Sequence, residues 1–280
     1  MARHNDVRLY GCVADNPIVI SDDDGNVVSA RVHLAVIKNQ RNDNFNDPES
    51  ILYDWPMINS YEPVMAQKIA KLNLYDVVEL QGVLVTQKCV KITYCSFCGA
   101  KNETEGVSEY VYPLFLEKRN TESLTQKQAV QEIVKNQPIS NNISIVGNLC
   151  NDPNYYISQE KKVETTTFQI GSERQMFLKF DDPEIRSDYP HIRAYGKEAA
   201  KAYISLYTGS SILIEGYLHS RTFLRKSTCC EPSCKNEYQW EDTITEVIPY
   251  TIQNLSNYTN PKDADPAKLK YIEEARGGNV

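Results

Sequence analysis

The sequence is short of several things, and each shortage removes a class of function. None of its apolar runs reaches 18 residues, which excludes a helix spanning a bilayer. The amino terminus, MARHNDVRLYG, has no apolar core, so no secretory leader is expected and the cytoplasm is the expected compartment. There are only four histidines, His4, His33, His191 and His219, and their spacing matches no metal-ligand or nucleophile motif. A glycine-rich loop of the phosphate-cradling kind is missing as well. Together these absences argue against an enzyme. Positive charge is not in excess either: 30 Lys and Arg face 37 Asp and Glu, a net charge of −7. Bulk attraction to nucleic acid is thereby excluded, while a local basic groove is not.

What is present is length, tyrosine, cysteine and repetition. The 280 residues are enough for two real cores. Five of the eight cysteines sit in two short clusters, Cys95/Cys98 and Cys229/Cys230/Cys234. Without a secretory leader, such clustering favours metal over disulfide. The remaining three are singletons: Cys12 and Cys150 lie beside apolar first-strand residues and are expected in the core, and Cys89 is ambiguous. Compared with itself, the chain shows the same unit twice. Val7-Arg8-Leu9-Tyr10-Gly11 faces Ile143-Ser144-Ile145-Val146-Gly147 at an offset of 136 (147 − 11). Pro17 faces Pro153, Val32 and Leu34 face Phe168 and Ile170, and Tyr53 faces Tyr189 at the same offset. Two residues then drop out: Tyr61 faces Tyr195 and Gly82 faces Gly216 at 134 (195 − 61). The Cys clusters follow those glycines in each copy.

Hydrophobic periodicity supplies the elements. In copy one, strands are expected over 7–13, 27–38, 52–59, 77–86 and 107–116, with a turn at 21–26 and a polar loop at 39–50. A helix is expected over 62–74, with Val64, Met65, Ile69, Ala70 and Leu72 turned inward. Copy two repeats the pattern: a strand at 191–195, a helix over 197–207, an alternating strand over 210–218 cut at Gly216, and a Cys-bearing insert over 229–242. Strand, helix, strand, long hairpin and strand is the back half of an OB-type barrel. The expected fold is therefore mainly β: two tandem OB-fold domains, five-stranded Greek-key barrels whose long strand 4–5 hairpins carry Cys pairs. The expected division is 1–118 for copy one, 119–141 for a linker, 142–256 for copy two and 257–280 for a tail. In the linker, Ser123 with Gln126 makes a capping-box pattern for a short helix. In the tail, Asp265-Pro266 opens another, whose Leu269, Tyr271 and Ile272 could dock on a barrel.

Copy two resembles the bacterial single-stranded DNA-binding protein (SSB) family. The resemblance rests on Tyr195-Gly196-Lys197-Glu198-Ala199, then Gly209-Ser210, Glu215-Gly216, Ser220-Arg221-Thr222-Phe223 and Thr245-Glu246-Val247. It implies sequestration of single-stranded DNA by stacking and phosphate contacts during replication or recombination. Tyr189 and Tyr195 fall on the family's two aromatic positions around the third strand, Lys197 on its Gly-Lys pair, and Arg221 and Phe223 on the fourth-strand exit. Arg174, Arg193 and Lys226 are nearby cations. Stacking rings with cations along the phosphates are what sequence-tolerant single-strand binding needs. In copy one Trp55 and Tyr61 flank the third strand, and Lys38 and Arg41 end the second. There Tyr61 is followed by Glu62-Pro63 where copy two has Gly196-Lys197, so copy two is expected to dominate. Barrels of this family associate, and a tandem can pair internally what a homodimer pairs between chains. The family's acidic, apolar-tipped tail is replaced here by Arg276-Gly277-Gly278-Asn279-Val280.

Tyr94-Cys95-Ser96-Phe97-Cys98-Gly99 is a zinc-knuckle half, but each copy is short of the four ligands of structural zinc. One shared zinc is expected, on Cys95, Cys98, Cys234 and either Cys230 or Cys229, within one chain or between chains. Two rival functions remain: an OB pair that scaffolds a replication or conjugation complex, and an RNA-binding OB protein.

Overall fold

Alternating apolar side chains build the framework. In β1 (Asn5–Val13), Val7, Leu9 and Val13 are buried; in β3 (Val27–Ile37), Ala30, Val32, Leu34 and Val36 are. Period-two alternation puts each set on one face of its strand. A computed structural model describes residues 4–38, 51–158, 162–176, 178 and 186–277. The loop expected at 39–50, with Arg41, lies outside them.

Copy one continues with β2 (Ile18–Ser21), which precedes β3, and then β4 (Tyr53–Asp54), β5 (Met57–Ser60), α1 (Pro63–Ala70), β6 (Val77–Tyr94) and β7 (Lys101–Lys118). Next come α2 (Gln126–Lys135) and α3 (Gln137–Ser140). Copy two holds β8 (Asn141–Leu149), β9 (Asn154–Ile157), β10 (Glu164–Glu173), β11 (Ser187–Asp188), β12 (His191–Tyr195), α4 (Gly196–Ser205), β13 (Ser211–Thr228) and β14 (Glu237–Ser256), and α5 (Pro266–Ala275) follows. Pairing runs β1–β3–β5–β7–β6 and back to β1. In copy two it runs β8–β10–β12–β14–β13 and back to β8. In each circuit one pair is parallel, meeting at Ile58/Val111 and at Ile192/Val247. Both circuits are five-stranded Greek-key barrels of the OB type.

The barrels join by antiparallel pairing of β1 with β8, in which Val7 lies opposite Ile143, its own counterpart in the repeat. A local two-fold axis therefore passes between them, and contacts come in matched pairs. Asn5 brackets Leu84, donating to its carbonyl at 2.8 Å and accepting from its N–H at 2.9 Å. Asn141 does the same to Leu218, at 2.8 and 3.0 Å. Across the seam the Thr86 N–H donates to Asp188 (2.8 Å) and the Ser220 N–H to Asp54 (3.0 Å). In return the Tyr189 N–H donates to the Thr86 hydroxyl (2.7 Å) and the Trp55 N–H to the Ser220 hydroxyl (3.1 Å).

These contacts correct the alignment of the repeats. Asp54 pairs with Val36 and Asp188 with Ser172, so Asp54 matches Asp188, and Trp55, not Tyr53, matches Tyr189. The two residues drop out before Tyr53, where the intervening loops differ in length. Other differences are local. The third strand of copy one breaks at Trp55-Pro56, where proline has no N–H for the ladder. Strands β6 and β7 run on to Tyr94 and from Lys101, well past the expected 86 and 107, because the ladder continues through polar residues. The linker helix is capped by Thr125 with Gln128 rather than Ser123 with Gln126. Cys12 is buried as expected, but Cys150 is exposed. The tail docks through two of its three expected residues: Ile272 is buried and the Tyr271 ring lies 5.9 Å from Tyr203 and 6.3 Å from Tyr155, while Leu269 is exposed and Lys268 Nζ donates to the carbonyls of Tyr203 and Leu206.

Each long hairpin bends at a glycine. The register shifts between Glu215 and Gly216, and a Cβ on Gly216 would stand 2.1 Å from the Ile248 carbonyl oxygen. Gly216→Ala should therefore destabilise the protein by about 1–3 kcal/mol through backbone overpacking, read as a lower denaturation midpoint. Gly82→Ala should act in the same way, since its Cβ would meet the Tyr112 carbonyl oxygen at 2.3 Å.

Candidate nucleic-acid interface and metal centre

The outer face of copy two carries aromatic rings because β12 turns alternate residues outward, Tyr195 at its end among them, and Tyr189 stands between β11 and β12. Tyr189 and Tyr195 are 46% and 40% exposed. The Tyr189 ring lies over Gly171, where a Cβ would touch it at 3.5 Å. Lys197 is exposed at the first turn of α4, which opens on Gly196 with φ +59°. In copy one Trp55 is 46% exposed, whereas Tyr61 is half-buried against the cluster of Val83, Val85 and Tyr110. Lys38 is half-buried at the end of β3.

Beside this face lies a cleft of about 670 Å³ between the copy-one hairpin and the copy-two sheet. Phe223 lines it, half-buried, with the guanidinium of Arg221 over its ring at 4.8 Å and that of Arg225 at 5.0 Å. Lys226 is exposed on the same hairpin. Three carboxylates lie on its floor. Glu246 takes a two-pronged ion pair from Arg193, at 2.7 and 2.8 Å, and a longer contact from Arg221 at 3.4 Å. Asp242 holds Arg225 at 2.6 Å and also pairs with Lys91. Glu109 accepts from the Thr245 N–H at 3.3 Å. The expected cations thus fall into two groups. Lys197 and Lys226 reach solvent. Arg193 and Arg221 are engaged by Glu246, and Arg174 is buried at 3% exposure in a 2.5 Å ion pair with Asp188, out of reach of any phosphate. Arg225, Trp240 and Lys91 were not anticipated. Arg225 was legible, since Arg221, Phe223 and Arg225 alternate on one strand face. Lys91 was not, because it comes from the other copy.

Burial pushes the Glu109 carboxyl up to about 7; Glu246 and Asp242 add to the shift, and the Thr245 amide and Lys91 oppose it. A raised folded value contributes stability at low pH that is lost as pH rises through about 7. Glu109→Gln cannot ionise and escapes that loss. It should be more stable than the parent at pH 8, by roughly 1–3 kcal/mol, with the gain fading toward pH 4.5. Denaturant titrations at the two pH values check this.

Beyond the cleft the two hairpin tips meet. The Tyr238 hydroxyl lies 2.6 Å from Thr93 Oγ1 and accepts from the Asn102 amide at 2.5 Å. The thiols of Cys95, Cys98, Cys229 and Cys234 lie within 4.8 Å of one another, two from each copy of one chain. Cys98 and Cys229 are 3.5 Å apart and Cys95 and Cys234 3.9 Å. A tetrahedron with metal–sulfur bonds of about 2.3 Å has sulfurs about 3.8 Å apart, so the four thiols fit a metal ion. Burial works against ionisation of Cys95, but the amides of Phe97 and Cys98 outweigh it and draw the thiol down to about 7. Gly99, at φ +74°, lets its N–H turn back to the Cys95 carbonyl. Cys230, one of the two alternatives in the expected ligand set, is excluded from the cluster. Its N–H donates to the Asn102 side chain and its thiol turns to the Lys101 carbonyl, 3.3 Å away, while Cys229 takes the fourth place.

Two closed Greek-key barrels with aromatics on one outer face define a tandem OB-fold protein. Residues 140–247 match the model of the Single-strand binding protein family, so the second copy is similar to that family. Two solved structures of the single-stranded DNA binding protein from Thermus aquaticus share the fold. A deletion mutant is 14% identical with a TM-score of 0.57, over 94% of this chain and all of that one. The wild-type protein is also 14% identical with a TM-score of 0.57, over 91% and 95%. Among curated proteins, no sequence matches.

Proposed function

We propose that this protein binds and sequesters single-stranded DNA without covalent chemistry, mainly through copy two. The observation that carries this is the family match over 140–247, the region that exposes Tyr189 and Tyr195 on one sheet face. Every base has a π-face, so such rings hold a strand whatever its sequence, while Lys197 and Lys226 follow the phosphates. Phe223 already has guanidinium groups over its ring, so it contributes through an Arg–Phe–Arg stack that meets both bases and phosphates. Protection of exposed strands in replication or recombination, in the cytoplasm and alongside other proteins of those processes, belongs to the same proposal. No helix among the described residues is long and apolar enough to cross a membrane.

Tyr189→Ala and Tyr195→Ala should each weaken oligo-dT binding by roughly 1–3 kcal/mol. Fluorescence anisotropy at two salt concentrations measures it. Unchanged affinity in folded variants would remove the direct role of these rings and with it the assigned face. Lys197→Ala should reduce the salt slope by about 0.7, the increment for one phosphate contact on a single strand.

The four-thiol centre is proposed to hold one structural zinc ion shared by both hairpins. All-thiolate ligation leaves no open position, so the ion would brace the hairpins rather than catalyse. Elemental analysis of freshly reduced protein should find about one zinc per chain. Cys95→Ser and Cys234→Ser should release it equally, and Cys230→Ser should retain it. Metal-free reduced protein would refute the site.

A further inference from the structure

A second groove, of about 680 Å³, lies on copy one where α2 packs against the barrel. Helix α2 packs on β1, β3 and β6 of copy one, and among the described residues the helix after copy two, α5, packs on α4 instead. Tyr53, Trp55 and Tyr75 form one bank, and Gln126, Lys127 and Val130 of α2 form the other. The Tyr53 and Trp55 rings are 5.9 Å apart at an interplanar angle of 47°. Trp55 occupies the place that Tyr189 holds in copy two, so the groove continues directly from a proposed stacking position.

Two observations set this groove apart from ordinary packing. The first is electrostatic. The cleft beside copy two carries four carboxylates, Glu105, Glu109, Asp242 and Glu246, against its cations, whereas no carboxylate is among the residues lining this groove. Lys127 is exposed on its rim and makes no ion pair among the described residues. The second is conformational. Tyr75 has φ +68°, a left-handed backbone that a bulky residue adopts only at a cost. Copy two places Gly209 at the matching position, with φ +87°. Glycine would meet the turn's requirement without strain, so the tyrosine ring returns something that the turn itself does not need: one side of it packs against the core beneath α2, and the other lines the groove.

We infer that this groove is a nucleobase subsite, formed by Tyr53, Trp55 and Tyr75 with Lys127 of α2, that takes single-stranded DNA as the strand passes from copy two onto copy one. Bases stack on the exposed Trp55 ring and against the open edges of the half-buried Tyr53 and Tyr75 rings, and Lys127 meets a phosphate at the rim. The inference rests on the single-strand-binding reading above, and it makes copy one an active part of the binding path. The helix that covers the outer face of copy one, rather than blocking it, supplies the second wall.

The test compares oligo-dT of about 10 and about 30 nucleotides, spans suited to one and two barrels. Tyr75→Gly suits the left-handed turn and so should fold, and Lys127→Glu lies on an exposed helix face. Both should weaken the long oligonucleotide about ten-fold and leave the short one unchanged. Lys127→Glu should also flatten the salt dependence for the long strand by at least about 0.7. Long-strand affinity unchanged in both folded variants overturns the subsite and leaves copy-two binding intact. So does an equal loss on both lengths accompanied by a lower melting temperature, which would make Tyr75 a packing residue only. Parent protein that binds neither length would instead overturn single-strand binding itself, and the subsite with it.

Discussion

The pairing of β1 with β8 about a local two-fold axis is the constraint on which the rest depends. Once Val7 faces Ile143, every element of one barrel has a fixed position relative to the other. The N–H groups of Thr86 and Ser220 can then reach the buried carboxylates Asp188 and Asp54 of the opposite copy. The same residues return hydroxyl acceptors to the backbones of Tyr189 and Trp55. Each exposed ring is therefore anchored by the neighbouring barrel. The clasp is not wholly symmetric. Asp188 is matched by Arg174 from its own copy, whereas Asp54 lies 2.7 Å from His219 of the other. Buried carboxylates without such partners would carry a heavy desolvation penalty.

The same arrangement brings the two long hairpins across one another. A hairpin of this length has little core of its own, and its tips carry mostly polar residues. Among the contacts that hold the crossing are Lys91 with Asp242, Tyr238 with Thr93 and Asn102, Glu109 with the Thr245 N–H, and the four converging thiols. Four thiolates at such spacing would repel one another, and a divalent cation removes that repulsion. The cleft beneath is lined by both copies, so its shape depends on the crossing.

Electrostatics explains how an acidic chain can offer a surface to a polyanion. Most of the cations in the cleft are already matched by Glu246 and Asp242, and an incoming phosphate would compete with carboxylates for them. Net charge then says little about binding, because the cations at issue are local and partly neutralised. The burden shifts to aromatic rings, whose stacking is insensitive to this balance, and to cations such as Lys197 and Lys226 that stand clear of it.

By itself the sequence determined the fold class, the duplication and the family resemblance of copy two. Strand alternation, turn residues and helix periodicity are local signals, and a repeated offset multiplies their weight. It also determined that tyrosines near 189 and 195 and cysteines in both hairpins deserved functional readings. The tertiary structure alone decided which groups meet. Cys229 joined the thiol cluster and Cys230 did not, because the Cys230 N–H and thiol are held by Asn102 and Lys101 of the other hairpin. Trp55 replaced Tyr53 as the partner of Tyr189, because strand pairing counts residues where loop lengths differ. Arg174 and Arg193 were drawn to Asp188 and Glu246, and Lys91 entered the cleft from the other barrel. Spacing along the chain carries no information on such encounters: they range from 14 positions apart for Arg174 and Asp188 to 151 for Lys91 and Asp242, and the folded sheets alone bring them together.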